Sequence, residues 1–207
     1  MSTPYEGSGR TEQKQRTRAT LVGAARDLVA AGRTPTVKDT AGVAGISRTT
    51  AYRYFPNQRA LLVAAHPETG APSMLPTAPS EEPELRLASV IREFTKLVVE
   101  TEAQQRTMLR LSLDADTDDT ARAGLPLRQG RAIGWIAEAL APLHEDLSEP
   151  VLQRLVLAIR SAVGIEALVW LTDVAGLSRE AAVAVMSWSA QALLRSSLDG
   201  KPPPTTG

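Results

Sequence analysis

Apolar side chains three and four positions apart, with polar ones between them, recur from residue 18 to residue 198. That is the period of an α-helix, in which residues i, i+3, i+4 and i+7 share a face. Leu21, Ala24, Ala25, Leu28 and Val29 form the first stripe and predict a helix from about Glu12 to Ala31, ended by Gly32. Two short helices are expected within residues 36–55, meeting at Gly45, and a fourth from Gln58 to about Ala65 behind the capping residue Asn57. Residues 66–80, HPETGAPSMLPTAPS, contain four prolines and read as a linker, with Met74 and Leu75 able to tuck against the helices beyond it. Five further helices are expected at about Glu82–Glu102, Ala103–Asp114, Arg128–Leu143, Glu149–Val174 and Ser178–Leu198. In the first of these, Leu85, Ala88, Ile91, Phe94, Thr95 and Val98 step at helical spacing. No segment alternates with the period of two that marks a half-buried strand. The expected fold is all-α. Its expected parts are a flexible arm (1–11), a three-helix helix-turn-helix head (12–65), a Pro-rich linker (66–80), a helical body (81–198) and a flexible tail (199–207).

The head concentrates the chemistry in TVKDTAGVAGISRTTAYRYFPNQRALL, residues 36–62. Thr36 is a good N-cap, and Asp39 three residues on completes a shortened capping box. Ser47 caps the next helix. There Arg48, Thr49, Tyr52 and Arg53, at i, i+1, i+4 and i+5, share one polar face, while Ile46, Ala51 and Phe55 suit packing on the other. About eight helical residues span roughly 12 Å, enough to lay several side chains in a DNA major groove about 12 Å wide. Arg48, Thr49 and Arg53 are the expected sequence readers, because arginine binds guanine O6 and N7 and a threonine methyl meets thymine. Thr50 either does the same or holds the turn. Thr36, Lys38, Tyr52 and Tyr54 are the expected phosphate contacts, which position without reading sequence. Phe55, and in part Tyr54, also suit the core.

The charge distribution strengthens this reading. The net charge is zero, yet residues 1–62 hold ten Lys/Arg against four Asp/Glu, leaving thirteen against nineteen in the rest. A basic head favours phosphate contact, and an acidic body is kept from the same polyanion. Arg10, Lys14, Arg16 and Arg18 precede the first stripe, where they either reach DNA or form a solvated tail.

Other chemistries find little support. The 207 residues include no cysteine, which excludes disulfides and thiolate metal sites. His66 and His144 are the only histidines, and neither sits in a recognisable catalytic arrangement. Asp114, Asp116 and Asp118 begin like a calcium loop, but Asp119 stands where glycine is needed and Leu125 where glutamate is needed. There is no glycine-rich phosphate loop. No catalytic role, metal or cofactor is expected. The sequence shows no hydrophobic signal core and no apolar run near the roughly 20 residues that span a bilayer, so a cytoplasmic protein is expected, with no membrane partner.

Thr36-Val37-Lys38-Asp39, Ala44-Gly45-Ile46-Ser47-Arg48, Thr50, Tyr52, Tyr54-Phe55 and Leu61-Leu62 together resemble the DNA-binding head of tetracycline-repressor-like (TetR) regulators. The resemblance covers about residues 13–65. It implies a transcriptional regulator, a repressor of the ligand-responsive kind, binding a palindromic double-stranded DNA operator as a homodimer. It also implies that the last two helices, about 151–171 and 178–198, form a four-helix interface between subunits. In such proteins the body encloses a mostly apolar pocket for a small effector, which here would be a small hydrophobic molecule. The residues expected to line it are Phe94, Met108, Leu111, Trp135, Glu166 and Trp170. Glu166, among apolar neighbours, needs a partner, which is a ligand, Arg131 or Arg160. Three departures stand out. Gln58, also counted among the expected DNA contacts, occupies the place of a lysine that commonly contacts the DNA backbone, Thr40 replaces an apolar residue and implies looser packing, and the linker at 66–80 is unusual. The reading from another class is a helical interaction or small-molecule-binding module that has lost DNA binding.

Overall fold

The computed structural model describes residues 4–66, 72–113 and 130–204, and for residues 4–10 and Leu111 the backbone alone. The described residues are helical throughout, with turns and loops and no strand, so the fold is all-α. The elements are α1 (Pro4–Ala30), α2 (Val37–Val43), α3 (Arg48–Tyr54), α4 (Gln58–Ala65), α5 (Pro83–Glu100), α6 (Glu102–Leu113), α7 (Arg131–Ala139), α8 (Glu149–Ala162), α9 (Ile165–Val169) and α10 (Arg179–Leu198). A single 3₁₀ turn, Ala141–His144, follows α7, and a wider π turn, Trp170–Val174, continues α9. Asp114, Asp116, Asp118 and the loop around them lie outside the described residues.

Residue contacts divide the chain into two compact units, Met1–Thr69 with Ala103–Gln129, and Gly70–Glu102 with Gly130–Gly207. The sequence places all of 81–198 in one body, whereas α6 packs in the head unit. Met108 explains this: it is buried against Val29 and Leu62, and Arg110 Nη2 donates to Thr34 Oγ1 at 3.0 Å. α1 begins at Pro4, inside the segment expected as a flexible arm.

In the head unit, local caps define each short helix. Thr36 Oγ1 accepts from the Asp39 N–H at 3.1 Å, and Asp39 Oδ2 accepts from the Thr36 N–H at 3.1 Å, which closes the capping box of α2. Gly45, at φ 65, takes the left-handed turn after it. Ser47 Oγ accepts from the Thr50 N–H at 3.2 Å and Asn57 Oδ1 from the Ala60 N–H at 2.8 Å, starting α3 and α4. These helices close on Leu21, Val22, Ala25, Val37, Ala41, Ala51, Phe55, Leu61 and Ala65. Thr40 is fully buried, and its hydroxyl donates to the Thr36 carbonyl at 2.9 Å, so the helix itself satisfies the polar group.

In the body unit α5 lies against α7 and α10, and α8 also lies against α7 and α10, which makes a four-helix arrangement. The inward face of α5 is Leu87, Val90, Ile91, Phe94, Thr95 and Val98. Leu85 and Ala88, expected on that face, are exposed. Arg86 ties α5 to the end of α7 through the Glu138 and Ala139 carbonyls at 2.8 and 2.9 Å. The linker is held in the same unit from its described part onward, with Ser73 Oγ donating to Glu138 Oε2 at 2.7 Å.

The long helix expected at Glu149–Val174 is broken. Val163 is extended and Gly164 sits at φ 118, a backbone conformation that glycine alone adopts easily. This span corrects another expectation, because Glu149–Val174 reaches a mean hydropathy of 1.7 over an 18-residue window, long and apolar enough by composition to cross a membrane. The span is two helical segments, interrupted at Val163–Gly164.

Candidate nucleic-acid interface

α3 presents two unlike faces. Ala51 and Phe55 are buried in the head core, and Ile46 packs against it from the preceding turn. Arg48, Thr49, Tyr52 and Arg53 are exposed together on the other side, and Tyr52 is 48% exposed. A core-facing apolar side therefore fixes the rotation of the helix and aims four polar side chains outward. The Arg53 guanidinium lies 5.9 Å from the centre of the Tyr54 ring, a cation–π contact that restrains it. Tyr54 is half-buried and packs against the core cluster. Thr50 is also half-buried, and its hydroxyl oxygen accepts from Ser47 Oγ at 2.9 Å, a bond within the turn.

Three predicted contacts lie outside α3. Lys38 is exposed in the first turn of α2. Thr36 is exposed but committed to the cap, with its hydroxyl also donating to Asp39 Oδ2 at 2.7 Å. These bonds from Thr36, with smaller contributions from Arg33 and Lys38, hold the Asp39 carboxyl below the usual aspartate range. Gln58 is half-buried, and its amide Nε2 donates to the Pro35 carbonyl at 3.0 Å. It anchors the start of α4 to the loop before α2, a role invisible in the sequence because its partner lies 23 residues away. The contact of Arg18 with the core is equally invisible there: its guanidinium stands 5.4 Å from the centre of the Phe55 ring.

The residues expected to line an effector pocket divide between the two units. Phe94 and Trp135 are buried edge to face, with ring centres 5.8 Å apart and planes at 62°. Arg160 lies 5.7 Å from the Phe94 ring centre, and its Nη1 bonds Glu166 Oε2 at 3.2 Å and the Val163 carbonyl at 2.7 Å. Of the partners considered for Glu166, Arg160 pairs with it, and Arg131 is exposed. Met108 is packed in the head unit, and Trp170 is 59% exposed. The Leu111 side chain lies outside the described residues. In the body unit a cleft of about 340 Å³ is lined by Ser73, Met74, Leu75, Pro76, Ser89, Arg92 and Glu93.

The exposed apolar side chains of the last helices form their own pattern. Leu157, Trp170, Val174, Val185 and Trp188 are exposed. On α10, Ala181, Val185, Trp188 and Ala192 follow one stripe at i, i+4, i+7 and i+11, while Ala182, Met186, Ala190 and Leu194 are buried on another.

Neither a family model nor a curated protein sequence matches the chain. Its fold does match a solved structure, that of a TetR transcriptional regulator from Rhodococcus sp. RHA1, with a TM-score of 0.55 and 20% identity over 88% of this chain and 98% of that one. The chain thus has the fold of a TetR regulator, as the residues of its head led one to expect.

Proposed function

We propose that this protein is a sequence-specific DNA-binding transcriptional regulator, a cytoplasmic homodimer that represses by occupying a palindromic operator. The observation that carries the proposal is the division of α3, with Ala51 and Phe55 locked in the core and Arg48, Thr49, Tyr52 and Arg53 exposed in one row. Arg48, Thr49 and Arg53 read base edges in the major groove, and Lys38, Tyr52 and Tyr54 contact phosphates. Thr36 and Gln58 act mainly by holding α2 and α4 in place, through the cap and the Pro35 carbonyl. A single short helix reads few base pairs, so a two-fold pair supplying a second half-site completes the reader. The stripe of Val185 and Trp188 on α10, with Leu157 and Trp170, offers a self-complementary face for that pair. A small hydrophobic effector in the body, near the Phe94–Trp135 pair and the Arg160–Glu166 ion pair, would regulate binding.

The test is selection of bound sequences from a random duplex pool at moderate salt. Enrichment of an inverted repeat supports the proposal. No enrichment at any salt concentration would replace it with a helical module that does not bind DNA.

A further inference from the structure

The head core takes its first residue from α1 at Leu21, yet α1 begins at Pro4. The helix upstream of the core, residues 4–20, is therefore about 25 Å long at 1.5 Å per residue. Of its described side chains, residues 11–20, all are exposed except the half-buried Thr17. Buried apolar surface, the usual source of helix stability in proteins, contributes little there.

The two faces of this extension differ. At 3.6 residues per turn, Lys14 and Arg18 fall within about 20° of Ala25, the centre of the buried stripe. They continue the line that lower down carries Leu21, Val22, Ala25 and Val29 into the core. Arg18 shows where this line runs, because it meets Phe55, the residue that closes α3. Arg16 projects from the opposite face, where Glu12 pairs with it at 3.5 Å. The side continuous with the reading helix is thus positive, and the far side is neutralised.

Resting on the proposed role of α3 as the reading helix, we infer that the upstream part of α1 is a second DNA-contacting element, in which Lys14 and Arg18 bind phosphates flanking the bases that α3 reads. The two cations are about 6 Å apart along the helix axis. Each phosphate contact releases condensed counterions and steepens the salt dependence of binding. Such contacts add affinity and register but no base preference.

The experiment measures the dependence of log K on log[salt] for the full-length protein, on its selected operator and on a random-sequence duplex. The variants are Lys14→Gln, Lys14→Gln with Arg18→Gln, and Arg16→Gln. Each lost contact is expected to lower the slope by about 0.9. The double variant should lose about twice that on both duplexes, with the operator consensus unchanged, while Arg16→Gln keeps the wild-type slope. The inference is overturned if the double variant keeps the wild-type slope, or if Arg16→Gln lowers it equally, which would mean a general field and not a contact. Lys14→Gln touches no core residue and serves if loss of the Arg18–Phe55 contact unfolds the head. The random duplex separates this inference from the reading of α3: a wild-type protein that selects no operator defeats that reading, and the slopes on random DNA still decide the role of Lys14 and Arg18.

Discussion

Arg48 and Arg53 share the exposed face of α3 in different settings. Arg53 rests against the Tyr54 ring, whereas Arg48 stands in the first turn beside the Ser47–Thr50 cap. Arg48→Ala should weaken specific binding by about 1–3 kcal/mol and relax selectivity at one base position. An equal loss on every sequence, measured by titration against operator variants, would make Arg48 a phosphate contact. Thr36→Ala should destabilise the head by roughly 1 kcal/mol in thermal or denaturant unfolding, because α2 loses its N-cap. Two other bonds, donated to the Asp39 carboxylate by the Thr36 hydroxyl and N–H, lower the Asp39 pKa. Their stabilisation is therefore present above the ordinary aspartate pKa and is lost as pH falls through the folded value, so acid unfolding should differ less between Thr36→Ala and wild type than neutral unfolding does. The caps were legible at this scale, because Thr36, Ser47 and Asn57 act on backbone three residues away. Gln58 was not, since nothing near it in sequence points to Pro35. Glu166 was half legible: burial demands a partner, but only the fold selects Arg160.

Helix periodicity gave the elements more reliably than their phases and ends. Residues 85–91 carry two overlapping apolar stripes, and the neighbours α7 and α10 decide that Leu87 and Ile91 face inward and Leu85 outward. The break between α8 and α9 is a similar case. The residues around it are apolar and helix-compatible, so the pattern reads as one helix, while the structure bends at Gly164 and fills the bend with Arg160. A Cβ on Gly164 would stand 2.7 Å from Arg160 Nη1, at a φ of 118. Gly164→Ala should therefore destabilise the body by about 1–3 kcal/mol, mostly through backbone strain. A variant as stable as wild type in denaturant titration would show that the bend relaxes freely. On α2, Lys38→Ala should lower the salt slope of DNA binding by about one unit, and an unchanged slope would remove Lys38 from the interface.

At the scale of the molecule, the all-α class and the short capped helices of residues 36–65 were readable from spacing and caps alone. The packing of α6 was not, because Met108 reads as a core residue without saying which core it belongs to. The exposure of Trp170 and Trp188 was equally hidden, since an apolar helix looks the same whether its own chain or a second copy covers it. The proposed pairing makes a firm prediction: Trp188→Glu should convert a dimer to a monomer in sedimentation equilibrium and weaken operator binding sharply, whereas an unchanged mass would place the interface elsewhere. The central claim is that two copies of α3 read two symmetric half-sites. Its most direct test is duplex selection run in parallel with the wild-type protein and Arg48→Ala. The account predicts an inverted repeat for the wild type, and for the variant the same repeat with one base position relaxed at matching places in both halves. A wild-type consensus without two-fold symmetry, or an Arg48→Ala consensus identical to it, would contradict the account.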